Sequence, residues 1–263
     1  MARRLLLAKA MAKLFVLIVA LSSCTFAPTR LDVQADAQAP ELTADAGSSA
    51  TTQCHVSDPS LRLCLDFEDA SLDPTVLDRS SLAHDGASQL VTAVARNAQQ
   101  AALFATTSTM HVDETPDLDI PDHVTVELWA EVFDPNERPW LFDNDGQYAL
   151  AIDHDHLFCY ANGFYADTAI DLGVSTWHHL ACMYGGGKLI AYVDGKQASC
   201  QKVSGSIDNA NSEGTNIGYG LVGGVDDVHV YARSLSDAEI ANLAGTTPGP
   251  PAMCMTGSQT SGG

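Results

Sequence analysis

The sequence predicts an all-β domain of two antiparallel sheets packed as a sandwich. Three observations carry that expectation. Short segments alternate apolar and polar residues with period two, as "HVTVELWAEVF" does at 123–133. Short polar or glycine turns separate them, as Asp194-Gly195 separates "KLIAYV" from "QASCQKV". Helical periodicity is confined to one short segment near the C-terminal end.

Taken in order, "LCLDFE" at 63–68 is an opening strand, with Leu63, Leu65 and Phe67 on one face. "HVTVELWAEVF" places Val124, Val126, Leu128 and Ala130 on one face and Thr125, Glu127, Trp129 and Glu131 on the other. "YALAID" and "LFCYANG" flank a polar "HDH", and "WHHLACMY" and "KLIAYV" flank "GGG", so each pair reads as a hairpin. "GGVDDVHVYA" is a late strand. In "RSLSDAEIANLAG", Ser236 and Glu239 form a capping box, Leu235 and Ile240 a hydrophobic staple, and Gly245 a C-terminal stop.

The flanks differ in kind. Residues 1–23 hold Arg3, Arg4, Lys9 and Lys13, then the apolar run "LFVLIVAL", the layout of a secretory signal and too short to span a bilayer. "LSSC" at 21–24 resembles the bacterial lipobox, which implies a lipid-carrying Cys24 at the mature N-terminus. The expected location is therefore the bacterial cell envelope, with the chain exported and lipid-anchored at the outer membrane or cell surface. Residues 24–54 are rich in Ala, Thr, Asp, Pro and Ser and read as a tether, residues 55–245 as the folded domain, and residues 246–263 as a tail.

The formal charge is −20, and removing the four basic signal residues leaves −24. Such acidity excludes nucleic acid as a partner and disfavours lying flat on an anionic bilayer, so membrane contact is through the lipid alone. Seven cysteines suit export. With Cys24 lipidated, six remain for three disulfides, and six cysteines allow 15 pairings. If "LFCYANG" pairs with "WHHLACMY", Cys159 neighbours Cys182, leaving Cys54–Cys64 and Cys200–Cys254 as one arrangement of the rest.

These segments together resemble the bacterial laminin-G-like domains, jelly rolls related in fold to concanavalin A. "CLDFED" with "LDRSSLAHDGA", "VTVELWAEV", "TWHHLACMYGGGKLIAYVDGK" and "GGVDDVHVYARSLSDAEIANL" follow that family's order over most of 63–243. The resemblance implies a jelly-roll sandwich and a surface module recognising a glycan or an extracellular protein. It also implies structural calcium, for which Asp78 and Asp85 with Asp226 or Asp227 offer carboxylates.

Other polar clusters have plainer readings. His178 and His179 point to opposite faces of a strand and cannot share one metal, so they read as packing residues. "DHDH" at 153–156 and "FDNDGQY" at 142–148 read as solvated hairpin turns. The second lacks the glutamate of an EF-hand, with Ile152 in its place. Glu127 and Glu131 share a strand face, as the two carboxylates of a concanavalin-like glycanase would, but Trp129 stands between them where such enzymes have Asp. A non-catalytic module is therefore expected, with a divergent glycan hydrolase or a passive structural envelope protein as the alternatives. Trp140, in "NERPWLFDNDG", is the expected ligand contact.

Overall fold

The computed structural model describes residues 54, 57–134, 138–207 and 213–256. Cys24, the signal-like segment and the expected tether as far as residue 53 lie outside them. The elements are β1 (Leu61–Leu65), β2 (Thr75–Val76), β3 (Gly86–Gln89), β4 (Thr92–Arg96), β5 (Gln99–Phe104), β6 (Thr109–Val112), β7 (Val124–Val132), β8 (Trp140–Asn144), β9 (Tyr148–Asp153), β10 (His156–Ala161), β11 (Phe164–Asp167), β12 (Trp177–Gly185), β13 (Lys188–Val193), β14 (Lys196–Lys202), β15 (Thr215–Tyr219), β16 (Gly223–Tyr231), α1 (Asp237–Leu243) and β17 (Met255–Thr256).

They form two sheets. One has nine strands in the order β17-β14-β13-β12-β7-β16-β5-β4, with β1 also on β16. The other has eight, in the order β11-β10-β9-β8-β15-β6-β3-β2. The inner faces interdigitate around Leu63, Leu65, Phe104, Val126, Leu128, Phe142, Tyr148, Leu150, Ile217, Val228 and Val230. The regular strands contribute every second residue to this core, as period-two alternation requires, and bulges in β8 and β16 interrupt the pattern.

A second, smaller apolar layer covers the outside of the nine-stranded sheet. Ala181, Met183, Ile190, Tyr192, Tyr231, Leu235 and Ile240 pack there, beneath α1. This is why "HHLACMY" is apolar on both faces: β12 lies between β13 and β7 and is covered on both sides. Ser236 and Glu239 make the expected reciprocal capping box, and both Leu235 and Ile240 are buried.

The Asp194-Gly195 turn has φ of +49° and +73°, the left-handed pair that a two-residue hairpin needs. A Cβ on Gly195 would lie 2.8 Å from the Ala241 Cα, so this turn also seats the helix.

Two expectations are corrected. β10 does not pair with β12. It pairs with β9 and β11 in the eight-stranded sheet, while β12 pairs with β13 and β7 in the other. The Cys159–Cys182 disulfide (Cα–Cα 5.6 Å) therefore joins the two sheets through the core and is not a cross-strand staple. The segment after residue 245 is not wholly a tail either. Cys254 is bonded to Cys200, and Met255–Thr256 runs parallel to β14. Cys54 is bonded to Cys64 on β1. No helix among the described residues is long and apolar enough to cross a membrane.

Candidate functional site

Trp140 lies on the outer face of the eight-stranded sheet because of a register shift. Between β8 and β9, Trp140 pairs with Ala151 and Phe142 with Leu150, so Leu141 is the extra residue of a bulge. Leu141 and Phe142 both enter the core, and Trp140 is turned outward, the re-aiming that bulges accomplish. Across β15, Tyr219 stands opposite Trp140. Gly218 makes this possible. Its φ is +68°, and a Cβ there would lie 2.5 Å from the Phe104 ring. Tyr219 is 63% exposed, unusual for a ring of its size.

Trp140, Tyr219, Arg138, Gly220 and residues Thr106–Thr109 line a cleft of about 380 Å³. Two aromatic side chains, a guanidinium and Thr106, Thr107 and Thr109 thus line one hollow, while the Ser108 hydroxyl is buried on the Leu90 carbonyl. Arg138 ion-pairs with Asp153, and its guanidinium carbon lies 5.7 Å from the centre of the Phe158 ring. Hydrogen bonding to Arg138 holds the Asp153 carboxyl below its usual range. Beyond Phe158 the aromatic surface continues. Tyr165 lies 5.0 Å from Phe158 and 5.2 Å from Tyr160, centre to centre. Of the residues lining this cleft, the sequence reading names Trp140 and not Tyr219 or Arg138. Their signals were a tyrosine between two glycines in "GYG" and a basic residue two before the tryptophan.

A second hollow of about 400 Å³ lies by α1, lined by Asp58, Tyr231, Arg233, Leu235 and Glu239 among others. Its charges are committed to one another: Arg233 binds Asp58 at 2.7 Å and Glu239 at 2.8 Å. Those pairs tie the helix to the turn that precedes β1, which is a structural task.

The expected calcium ligands do not assemble. Asp78 accepts hydrogen bonds from the backbone of Cys64, Ser80 and His84 and from the Ser80 hydroxyl, so its carboxylate is spent on organising the loop. Asp85 accepts from the Asp78 amide. Asp226 is elsewhere engaged, at 2.5 Å from Arg96 Nε, and Asp227 ion-pairs with the same guanidinium. Burial and the neighbouring Asp227 push the Asp226 carboxyl up to about 7 against the pull of Arg96. Asp78, Asp85 and Asp226 form no converging ligand group among the described residues. If these residues hold no calcium, the melting midpoint is the same in Ca²⁺ and in EGTA. A rise in Ca²⁺, the mark of a ligand held only by the folded state, would refute this.

The polar turns are turns. His154 and Asp155 both have positive φ, and His154 Nδ1 lies 2.6 Å from Asp153. Asp143 accepts from the Gly146 amide.

"WHHLACMY" holds more than packing residues. On the outer face of the nine-stranded sheet, His179 Nε2 lies 2.8 Å from Glu127 Oε2, and His229 Nδ1 is hydrogen-bonded to Glu127 Oε1. All three residues are buried. Burial alone would raise the Glu127 carboxyl. The charge on His229 and the hydrogen bonds from both imidazoles outweigh it and bring it down to about 2. Burial lowers His229, but Glu127 more than compensates and its value is raised. Trp129 packs edge-on against His179, with ring centres 5.5 Å apart.

This arrangement also disposes of the Glu127/Glu131 pair as a hydrolytic couple. Four residues along a strand span ~13 Å, against about 5–5.5 Å for a retaining pair. The charge of His229 and the hydrogen bonds from both imidazoles hold Glu127 ionised against its burial, which disfavours it as a general acid.

A family model described as the concanavalin A-like lectin/glucanases superfamily, of laminin-G type, matches residues 104–241. No curated protein matches the chain significantly. Among solved structures, the binding domain of Paraclostridial Mosquitocidal Protein 1 superposes with a TM-score of 0.58 at 13% identity over 70% of this chain and 52% of that one. Domain 4 of AbnA, a GH43 extracellular arabinanase from Geobacillus stearothermophilus, in complex with arabinotriose, gives 0.58 at 14% identity over 70% and 98%. The binding domain of botulinum neurotoxin DC, in complex with rat synaptotagmin II, gives 0.56 at 14% over 71% and 51%. The chain thus spans about half the length of the two toxin domains. At such identities the superpositions speak for the jelly-roll fold, and with the family match they settle its lineage: the chain belongs to the concanavalin A-like lectin/glucanases superfamily.

Proposed function

We propose that this chain is a non-catalytic binding module of the bacterial cell envelope that recognises a neutral oligosaccharide at the Trp140–Tyr219 cleft. The observation that carries the reading is the cleft itself: two aromatic residues from paired strands beside Arg138 and a cluster of threonines. Sugars offer apolar C–H faces to rings and hydroxyls to polar groups, and recognition sites combine these two features. The charge of −20 disfavours a polyanionic ligand. Arg138 already has Asp153 as its counter-ion, which further favours a neutral one. The aromatic row Phe158, Tyr160 and Tyr165 extends the platform beyond one sugar unit. The arabinotriose held by the AbnA domain shows that this fold can present a sugar site. Three disulfides support an exported, oxidising setting. Lipidation of Cys24 would supply the anchor.

The test is calorimetric titration with neutral oligosaccharides selected on a glycan array. Trp140→Ala and Tyr219→Ala should each weaken the best ligand on the order of 10-fold, the equivalent of about 1.4 kcal/mol. Unchanged affinity in both variants, with the fold intact by circular dichroism, would remove the cleft from the proposal. Saturable binding of a protein and of no glycan would replace the ligand class.

A further inference from the structure

His229 uses Nδ1 on Glu127. Its other ring nitrogen, Nε2, is buried and has no hydrogen-bond partner among the described residues, on a side chain that is 1% exposed. What faces the imidazole is sulfur. Cys64 is the direct register partner of His229 across β1 and β16. One ring nitrogen of His229 and the Sγ atoms of Cys54 and Cys64 all lie within 4.8 Å of one another. With Nδ1 occupied by Glu127, Nε2 is the nitrogen available to that group.

We propose that Cys54, Cys64 and His229 form a redox-gated site for a thiophilic d¹⁰ cation, Cu⁺ or Zn²⁺. The site is closed while the Cys54–Cys64 disulfide stands and open once it is reduced. The opening step is a thiol–disulfide exchange with a dithiol reductant. Its two sulfurs deliver two electrons and two protons, the Cys54–Cys64 bond becomes two thiols, and the reductant leaves as its own disulfide. The cation then displaces both thiol protons and takes two thiolates and one imidazole. Soft thiolate donors select Cu⁺ and Zn²⁺ over hard cations. The imidazole gives up its Nε2 proton as well and coordinates through that nitrogen, while Nδ1–H donates to Glu127. That carboxylate–histidine–metal order fixes the ring and raises its basicity, and it gives the orphan nitrogen a partner. Cu⁺ is satisfied by the three donors. Zn²⁺ takes a fourth, which water supplies from the side of the half-buried Cys54.

The test uses the full chain carrying Cys200→Ser and Cys254→Ser, so that the buried Cys159–Cys182 bond and the Cys54–Cys64 bond remain. It is treated with limiting dithiol and titrated without oxygen with Zn²⁺ and with Cu⁺ against a chromophoric chelator. One equivalent should bind to the reduced chain and none to the oxidised chain. His229→Gln, which keeps a hydrogen bond to Glu127, should weaken binding at least ~10-fold. Co²⁺ in place of Zn²⁺ should show a thiolate-to-metal charge-transfer band that Cys54→Ala abolishes. The tighter of the two cations identifies the occupant. Equal binding by oxidised and reduced chains, or by His229→Gln and its parent, overturns the proposal. If the serine background does not fold, wild-type chain reduced in the same way and compared with Cys54→Ala gives the same readout.

Discussion

Glu127→Ala should be among the most damaging single substitutions in this domain, costing about 3–5 kcal/mol of unfolding free energy. That is the range for removing one partner from a buried charged group. A domain of this size loses about 2–4 °C per kcal/mol, so the melting midpoint should fall by about 10 °C. The reason is topological. Glu127 lies between His179 on β12 and His229 on β16, so one carboxylate satisfies two strands. Deleting it leaves two buried imidazoles facing a void.

Glu127→Gln separates charge from shape. It keeps the volume and one acceptor but sets an amide N–H₂ against the second imidazole, so it should cost less than Ala. Its effect should also depend on pH. The Glu127 carboxyl falls from its ordinary 4.5 to about 2 on folding. Its stabilisation is complete above about 4.5 and is lost as the pH drops toward 2. His229 is raised above 6.5, so its share is complete below 6.5 and is lost as the pH rises through the folded value. The difference in midpoint between wild type and Glu127→Gln should therefore be greatest from about pH 4.5 to 6.5 and narrow on either side. Other titrating groups, Asp226 among them, are common to both proteins and cancel. A difference that stays flat from pH 3 to 8 would show that the network is held by packing and not by charge.

This network marks the boundary of what could be read in advance. Strands, hairpins and the helix were legible because their signals are local. Asp194-Gly195 specifies its turn by backbone conformation alone, and Ser236 with Glu239 specifies a helix start. Which strands share a sheet is not local. "LFCYANG" alternates equally well in either sheet, so periodicity fixed the inward direction of Cys159 and left its neighbours open. The right cysteine partner was reached through the wrong pairing, because inward-facing residues of opposed sheets meet as closely as adjacent strands do. His179 failed for the same reason. On its own strand it points away from His178, and β13 carries no ligand. The carboxylate that meets it comes from β7 on the other side, and His229 from beyond that. Carboxylates can be counted in a sequence, but their hydrogen-bond donors cannot, so the four donors to Asp78 were not legible there. The cleft was half legible. A tryptophan in a polar loop drew attention, whereas Tyr219 depends on Gly218, whose role emerges only against Phe104.

The Cys159→Ala/Cys182→Ala double variant should lose about 3 kcal/mol, the loop-closure value for a bond spanning 23 residues. That corresponds to about 6–12 °C in midpoint. Both sulfurs are in the core, so the missing atoms also leave a small cavity, and the loss should sit at the upper end of that range. Position gives this bond a role that the other two lack. Cys159 lies on β10 between Phe158 and Tyr160, whose side chains form the outer aromatic row. The bond therefore clamps the floor of that row to β12 of the opposite sheet. Removing it should loosen the platform while leaving the Trp140–Tyr219 cleft on β8 and β15 in place. Well below the midpoint, short oligosaccharides confined to the cleft should bind the variant as they bind wild type. Longer ones that reach Tyr165 should lose affinity severalfold. Equal losses for short and long ligands would mean that the aromatic row takes no part in binding. A midpoint within 2 °C of wild type, the smallest loss that one kcal/mol would give, would mean that the sheets are held by core packing without the covalent link.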